Sequence, residues 1–125
     1  MLIVKNPQLI KSYILEDDKD NENPTKFYYK LPSLALQHNL FAEITDKVNI
    51  GLDKVDALLL ACLVKIENLK MEDENGNLVD IIYNEKTSEQ QKKKILEALP
   101  IQYRSELAGV IFNEMSLNKE EEKNW

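Results

Sequence analysis

A chain of 125 residues, 43% apolar and 30% charged, has the size and composition of one globular domain, which excludes a disordered chain. The net charge is −6, from 22 acidic and 16 basic residues, and Arg104 is the single arginine. Such a surface repels phosphate backbones and lacks the bidentate reader of guanine, so direct nucleic-acid binding is excluded as well.

In chain order, residues 9–15 alternate, with Leu9, Tyr13 and Leu15 on one parity and Ile10, Ser12 and Ile14 on the other. Residues 26–31 alternate too, setting Phe27, Tyr29 and Leu31 against Lys26, Tyr28 and Lys30. Period two with aromatic and branched residues predicts strands. The polar stretch 16–24 between them, closed by Pro24, predicts an antiparallel hairpin with a long exposed loop.

Pro32 and Ser33 open a first helix, carried by Leu36, Leu40, Phe41, Ile44 and Val48 and ended at Gly51. Asp53 is the next expected N-cap. Val55, Leu58, Leu59, Cys62, Leu63 and Ile66 then form one helical face, and Leu60 and Val64 widen it, so this helix is expected to be the most buried. Asn75-Gly76 suits a type I′ turn and predicts a second, short hairpin. Thr87 or Ser88 caps a third helix bearing Ile95, Leu96 and Leu99, and Pro100 breaks it. Leu107, Val110, Ile111 and Met115 mark a fourth. The expected architecture is therefore α+β and mainly helical: about four helices with one or two small antiparallel hairpins. It forms one globular domain over residues 1–116, with 117–125 as a charged tail that ends in Trp125.

The chemistry-bearing residues are sparse. His38 is the only histidine and Cys62 the only cysteine, too few for a structural zinc site or an oriented nucleophile–base pair. Cys62 lies in the apolar run 57–64, where a buried small hydrophobe in a reducing compartment is expected. That run is far shorter than the roughly 20 residues of a membrane span, and the opening residues lack a signal-peptide core. The acidic stretches beginning at Asp18 and Asp73 place Asn23 and Asn84 where a calcium loop needs glycine and glutamate, which predicts solvated loops. No phosphate-cradling glycine motif occurs. Lys92, Lys93 and Lys94 read as a solvated helix face. No catalytic, cofactor-binding or metal-binding residues are expected, and the chain reads as non-enzymatic. The candidate partner-binding residues are Tyr28, on the far side of its strand from Phe27 and Tyr29, with Leu117 and Trp125 in the tail, because Trp is enriched at interface hot spots.

The segment order is similar to that of small tail or baseplate assembly chaperones of tailed bacteriophages. The likeness runs over about residues 26–124: a strand into Tyr29-Lys30-Leu31-Pro32-Ser33, two helices, a turn at Asp73-Glu74-Asn75-Gly76, then Leu96-Glu97-Ala98-Leu99-Pro100 and the ending Glu120-Glu121-Glu122-Lys123-Asn124. The resemblance implies a protein that binds tail or baseplate components, or a minor virion structural component, in the host cytoplasm or in the particle. It assigns no functional residue. The acidity supports a rival expectation, a phage-encoded inhibitor that presents carboxylates to a host defence or nucleic-acid-binding protein.

Overall fold

The computed structural model describes residues 1–2, 9–33, 35 and 52–123, with side chains given for 54–114 of the last stretch. The alternating segments form β1 (Lys11–Ile14) and β2 (Lys26–Tyr29), paired antiparallel with Lys11 opposite Tyr29 and Ile14 opposite Lys26. Phe27, Tyr29 and Leu31 are buried, while Tyr28 is half-buried on the other face, as its parity requires. Asp18 holds the connecting loop. Its carboxylate accepts from the Asn21 side-chain amide at 2.5 Å and from the Thr25 backbone N–H at 2.7 Å. The expected first helix lies, apart from the helical Ala35, outside the described residues.

Helix α1 (Leu52–Cys62) includes Leu52, so it begins before its expected cap at Asp53. It buries Val55, Leu58, Leu59 and Cys62. The expected continuation of this helix to Ile66 does not occur. Leu63 instead starts β3 (Leu63–Glu72) with no intervening loop. The Lys30 N–H donates to the Cys62 carbonyl at 3.0 Å, and Phe27, Tyr28 and Tyr29 pair with Ile66, Lys65 and Leu63. Burial of positions 62, 63 and 66 fits a helical face, and the strand keeps both Leu63 and Ile66 inward only because its register with β2 shifts between Tyr28 and Tyr29; the backbone partners offered by β2 select the strand.

A bulge between Ile66 and Leu69 lets both face the core, with Asn68 at φ 59°. Thr25 Oγ1 donates to the Asn68 carbonyl at 2.8 Å, which ties the bulge to the start of β2. β3 then turns into β4 (Leu78–Tyr83). The turn is not type I′, because only Gly76 (φ 80°) takes a positive φ, whereas that type also needs one at Asn75. Asp73 organises it instead: its backbone carbonyl accepts from the Gly76 N–H at 3.1 Å, and its side-chain Oδ1 accepts from Asn75 and Asn77, each at 2.9 Å.

All four strands thus form one antiparallel sheet in the order β1-β2-β3-β4. This corrects the expected architecture. Among the described residues there are three helices and a four-stranded sheet, not a mainly helical domain of four helices with separate small hairpins. The β2–β3 pairing joins strands more than thirty residues apart, and no local turn signal announces it.

Ser88 caps α2 (Glu89–Ala98), its hydroxyl accepting from the Gln91 N–H at 3.2 Å. Ile95, Leu96 and Leu99 are buried, and Pro100 opens the corner into α3 (Ile101–Lys123), which buries Leu107, Ala108 and Ile111. The backbone is helical to Lys123, through most of the segment expected as a tail. α1 packs on both other helices, and the three share one core with the inner face of the sheet. Arg104 ties their ends together. Its Nε donates to the Leu99 carbonyl at 3.1 Å, and its Nη1 lies 2.9 and 3.0 Å from the two Asp56 carboxylate oxygens.

Leu59→Ala is expected to lower stability by about 2–5 kcal/mol in urea unfolding, since Leu59 is fully buried and its truncation leaves a cavity. Arg104→Lys should cost about 1.5–3 kcal/mol, because an ammonium on a flexible stem cannot reach the Leu99 carbonyl and the Asp56 carboxylate together. A loss below about 1 kcal/mol in both variants would mean that neither anchors the helix layer.

Candidate protein-binding surface

The strand order leaves β1 and β4 on the outside of the sheet. An open strand edge offers unpaired N–H and C=O groups to any other chain, and proteins usually blunt it with charge, shortness or cover. β1 is blunted: it has four residues and carries Lys11, which lies 3.0 Å from Glu114. β4 is not. Its six residues, Leu78-Val79-Asp80-Ile81-Ile82-Tyr83, include one charge. Leu78, Val79 and Ile82 are 67%, 44% and 72% exposed. Asp80 lies 3.9 Å from Lys70, and both are exposed, so that pair contributes little.

The inward end of β4 is anchored by Tyr83, which is buried beneath Lys92, whose ammonium is 5.5 Å from the ring centre. Burial pushes the Tyr83 phenol up to about 12, and its hydroxyl has no hydrogen-bond partner among the described residues. Thr87 Oγ1 reaches the Ile82 carbonyl at 3.4 Å and tethers the strand end to the turn before α2.

A cleft of about 580 Å³ opens where the β1–β2 loop meets the end of β3 and the corner at Pro100. Leu15, Phe27, Leu69 and Leu99 form its floor; Asp17, Lys70, Glu72 and Tyr103 lie on its rim. The Tyr103 hydroxyl stands 3.5 Å from Asp17. A shallower hollow of about 420 Å³ lies between α1 and α2, lined by Ala57, Leu60 and Leu96 with Lys93 and Glu97.

The most connected titratable groups hold the last helix to the sheet. Tyr13 donates to Glu106 and Tyr29 to Glu114, each at 2.6 Å, and Glu106 also accepts the Glu16 N–H at 3.0 Å. The hydrogen bond to Glu106, with burial added, pushes the Tyr13 phenol up to about 12. Tyr29 is pushed further, first by burial and then by its bond to Glu114. Cys62 is fully buried, as expected, and desolvation pushes its thiol up to about 12, so it stays protonated at neutral pH.

Of the residues singled out in the sequence, Tyr28 sits on the outer sheet face with Lys26 and Lys65 each 5.7 Å from its ring centre. Alternation along the strands places Ile82 on that same face. Leu117 belongs to the backbone of α3; Trp125 and His38 lie outside the described residues. Lys93 and Lys94 are exposed, and Lys92 is the half-buried cover of Tyr83. The carboxylates of Asp18 and Asp73, weighed as calcium ligands, cap turns. No group of three or more His, Cys, Asp or Glu is placed to hold a metal among the described residues. Sequence reasoning missed the exposed apolar edge of β4, although a strand segment with a single charge after an Asn-Gly turn is a signal for it. Among the described residues, no helix is long and apolar enough to cross a membrane. Comparison with protein-family models, curated proteins and solved structures finds no match for this chain.

The two tyrosines give a pH dependence with a definite sign. An unfolded tyrosine loses its proton near pH 10, whereas Tyr13 in the folded chain keeps it to about 12. Their stabilisation is complete below about pH 10 and is lost as pH rises through the folded values. The urea midpoint should therefore fall as pH rises from about 10 to 12, and less steeply in the Tyr13→Phe, Tyr29→Phe double variant. Equal slopes would show that these phenols do not couple folding to proton loss.

Proposed function

We propose that this chain is a non-enzymatic protein-binding domain acting in tailed-bacteriophage assembly. Its role is that of a tail or baseplate assembly chaperone or a minor virion component, and it works in the host cytoplasm or in the particle. The observation that carries the binding reading is the β4 edge, a six-residue strand with Leu78, Val79 and Ile82 exposed. Its fitting partner is an extended apolar strand of a phage structural protein, added antiparallel to β4. Main-chain hydrogen bonds would supply affinity, and side chains packed against Leu78 and Ile82 would supply selectivity. The phage setting rests on the resemblance over residues 26–124. Charge then sits at the rim and mainly sets the rate of encounter.

The chain is used as bait in lysates of phage-infected cells at low and high salt, alongside a Leu78→Lys, Ile82→Lys variant whose fold is checked by circular dichroism. The expected result is a phage tail or baseplate protein, retained at high salt and captured about tenfold less by the variant, a change of about 1.4 kcal/mol. Binding that ignores the β4 substitutions, disappears at high salt and captures a host defence or DNA-binding protein would replace this reading with the acidic inhibitor.

A further inference from the structure

The cleft beside the β1–β2 loop is a second surface, separate from the β4 edge, and its chemistry specifies a ligand. We propose that it binds a cationic, apolar segment of a partner protein, in which arginine or lysine side chains alternate with aliphatic ones.

The floor is carbon. Leu15, Phe27, Leu69 and Leu99 lie beneath it, so an aliphatic side chain seated there extends the core, while the polar groups around it stay in reach of a charged head. A volume of about 580 Å³ accommodates a few side chains and lies within the range of pockets that bury small ligands. The rim sets the sign of the charge. Asp17 and Asp18 line the cleft from the β1–β2 loop, whose neighbouring Glu16, Asp20 and Glu22 add to the local negative field against the single cation Lys19, itself paired with Glu16 at 2.8 Å. Glu72 adds another carboxylate across the opening, and Lys70 is the one cation lining it among the described residues. Asp18 spends its carboxylate on Asn21 and Thr25, which shapes the loop. Asp17 accepts only a long 3.5 Å contact from Tyr103, so it and Glu72 are the groups placed to receive a new donor.

An anionic or purely apolar ligand would leave this rim uncompensated. A long basic side chain meets both demands: its methylene stem lies on the apolar floor while its head reaches the rim carboxylates. Neither the acidic loop alone nor the hollow alone would specify this. Their juxtaposition does, because the floor supplies burial and the rim supplies charge selection.

The test is a titration of the isotope-labelled full chain, followed by backbone-amide NMR, with two end-capped peptides: Leu-Arg-Leu-Arg and its acidic twin Leu-Glu-Leu-Glu. The cationic peptide should shift the amides of Leu15, Phe27, Leu69 and Tyr103 and bind at least about tenfold more tightly than the twin, more so at low salt. The Asp17→Asn, Glu72→Gln variant should remove most of that preference while the rest of its spectrum stays in place. Met71→Gln, at the half-buried margin of the cleft, should weaken the cationic peptide without altering the charge preference. Equal binding of the two peptides, shifts confined to β4, or an unchanged preference in the double variant would overturn the proposal. So would a dimer in sedimentation that disappears when Lys92, Lys93 and Lys94 are neutralised, since a second copy would then occupy the cleft. Because the readout is at the cleft, its failure leaves the β4 reading standing, and the converse holds.

Discussion

The structure depends on the junction between Cys62 and Leu63, where a buried helix becomes a buried strand without a connecting residue. The Cys62 carbonyl leaves the helical ladder and accepts the Lys30 N–H, and from Leu63 onward the backbone pairs with β2. Because no loop intervenes, the direction of α1 and the position of β3 in the sheet are set together. Cys62 and Leu63 are buried on both sides of the change, so any slip of register would expose apolar surface from both elements at once. β3 thereby becomes an inner strand flanked by β2 and β4, and its bulge at Asn68 keeps Ile66 and Leu69 on the core face.

An acidic chain has to place its carboxylates with care, and here several are structural. Glu106 and Glu114, two helical turns apart on α3, accept from Tyr13 and Tyr29 across the helix–sheet interface, and Asp56 accepts from the only arginine. Tyrosine suits the first role because its ring fills core volume while its hydroxyl reaches the helix surface. These contacts set the rotation of α3 over β1 and β2, which hydrophobic packing alone specifies loosely. At the β1 edge, Lys11 joins Glu114 as well.

Two features among the described residues offer themselves to other molecules most plainly: the β4 edge and the cleft at the Pro100 corner. They differ in physical character. The edge presents backbone groups beside apolar side chains, whereas the cleft presents a carbon floor below carboxylates. Both arise where secondary-structure elements end, and there neither the sheet nor the helix layer has a neighbour to complete its packing.

Much of this was legible in the residues. Alternation at 26–31 placed Phe27 and Tyr29 in the core and Tyr28 outside, Thr87 or Ser88 marked the start of α2, where Ser88 is the cap, and Ile95, Leu96, Leu99, Leu107 and Ile111 announced the helical faces that are buried. The place of Tyr28 on the outer sheet face came from the same reading, but the β4 edge and the cleft did not. Local chemistry determined these features because capping, turn-forming and side-chain periodicity act within about one turn of the chain. The end of α1 at Cys62, the union of two hairpins into one sheet, and the meeting of an acidic loop with an apolar corner were decided only by tertiary structure. The buried positions 59, 62, 63 and 66 have helical spacing, so the hydrogen-bond partners brought by β2 from more than thirty residues away, with a register shift between Tyr28 and Tyr29, overrode the local pattern.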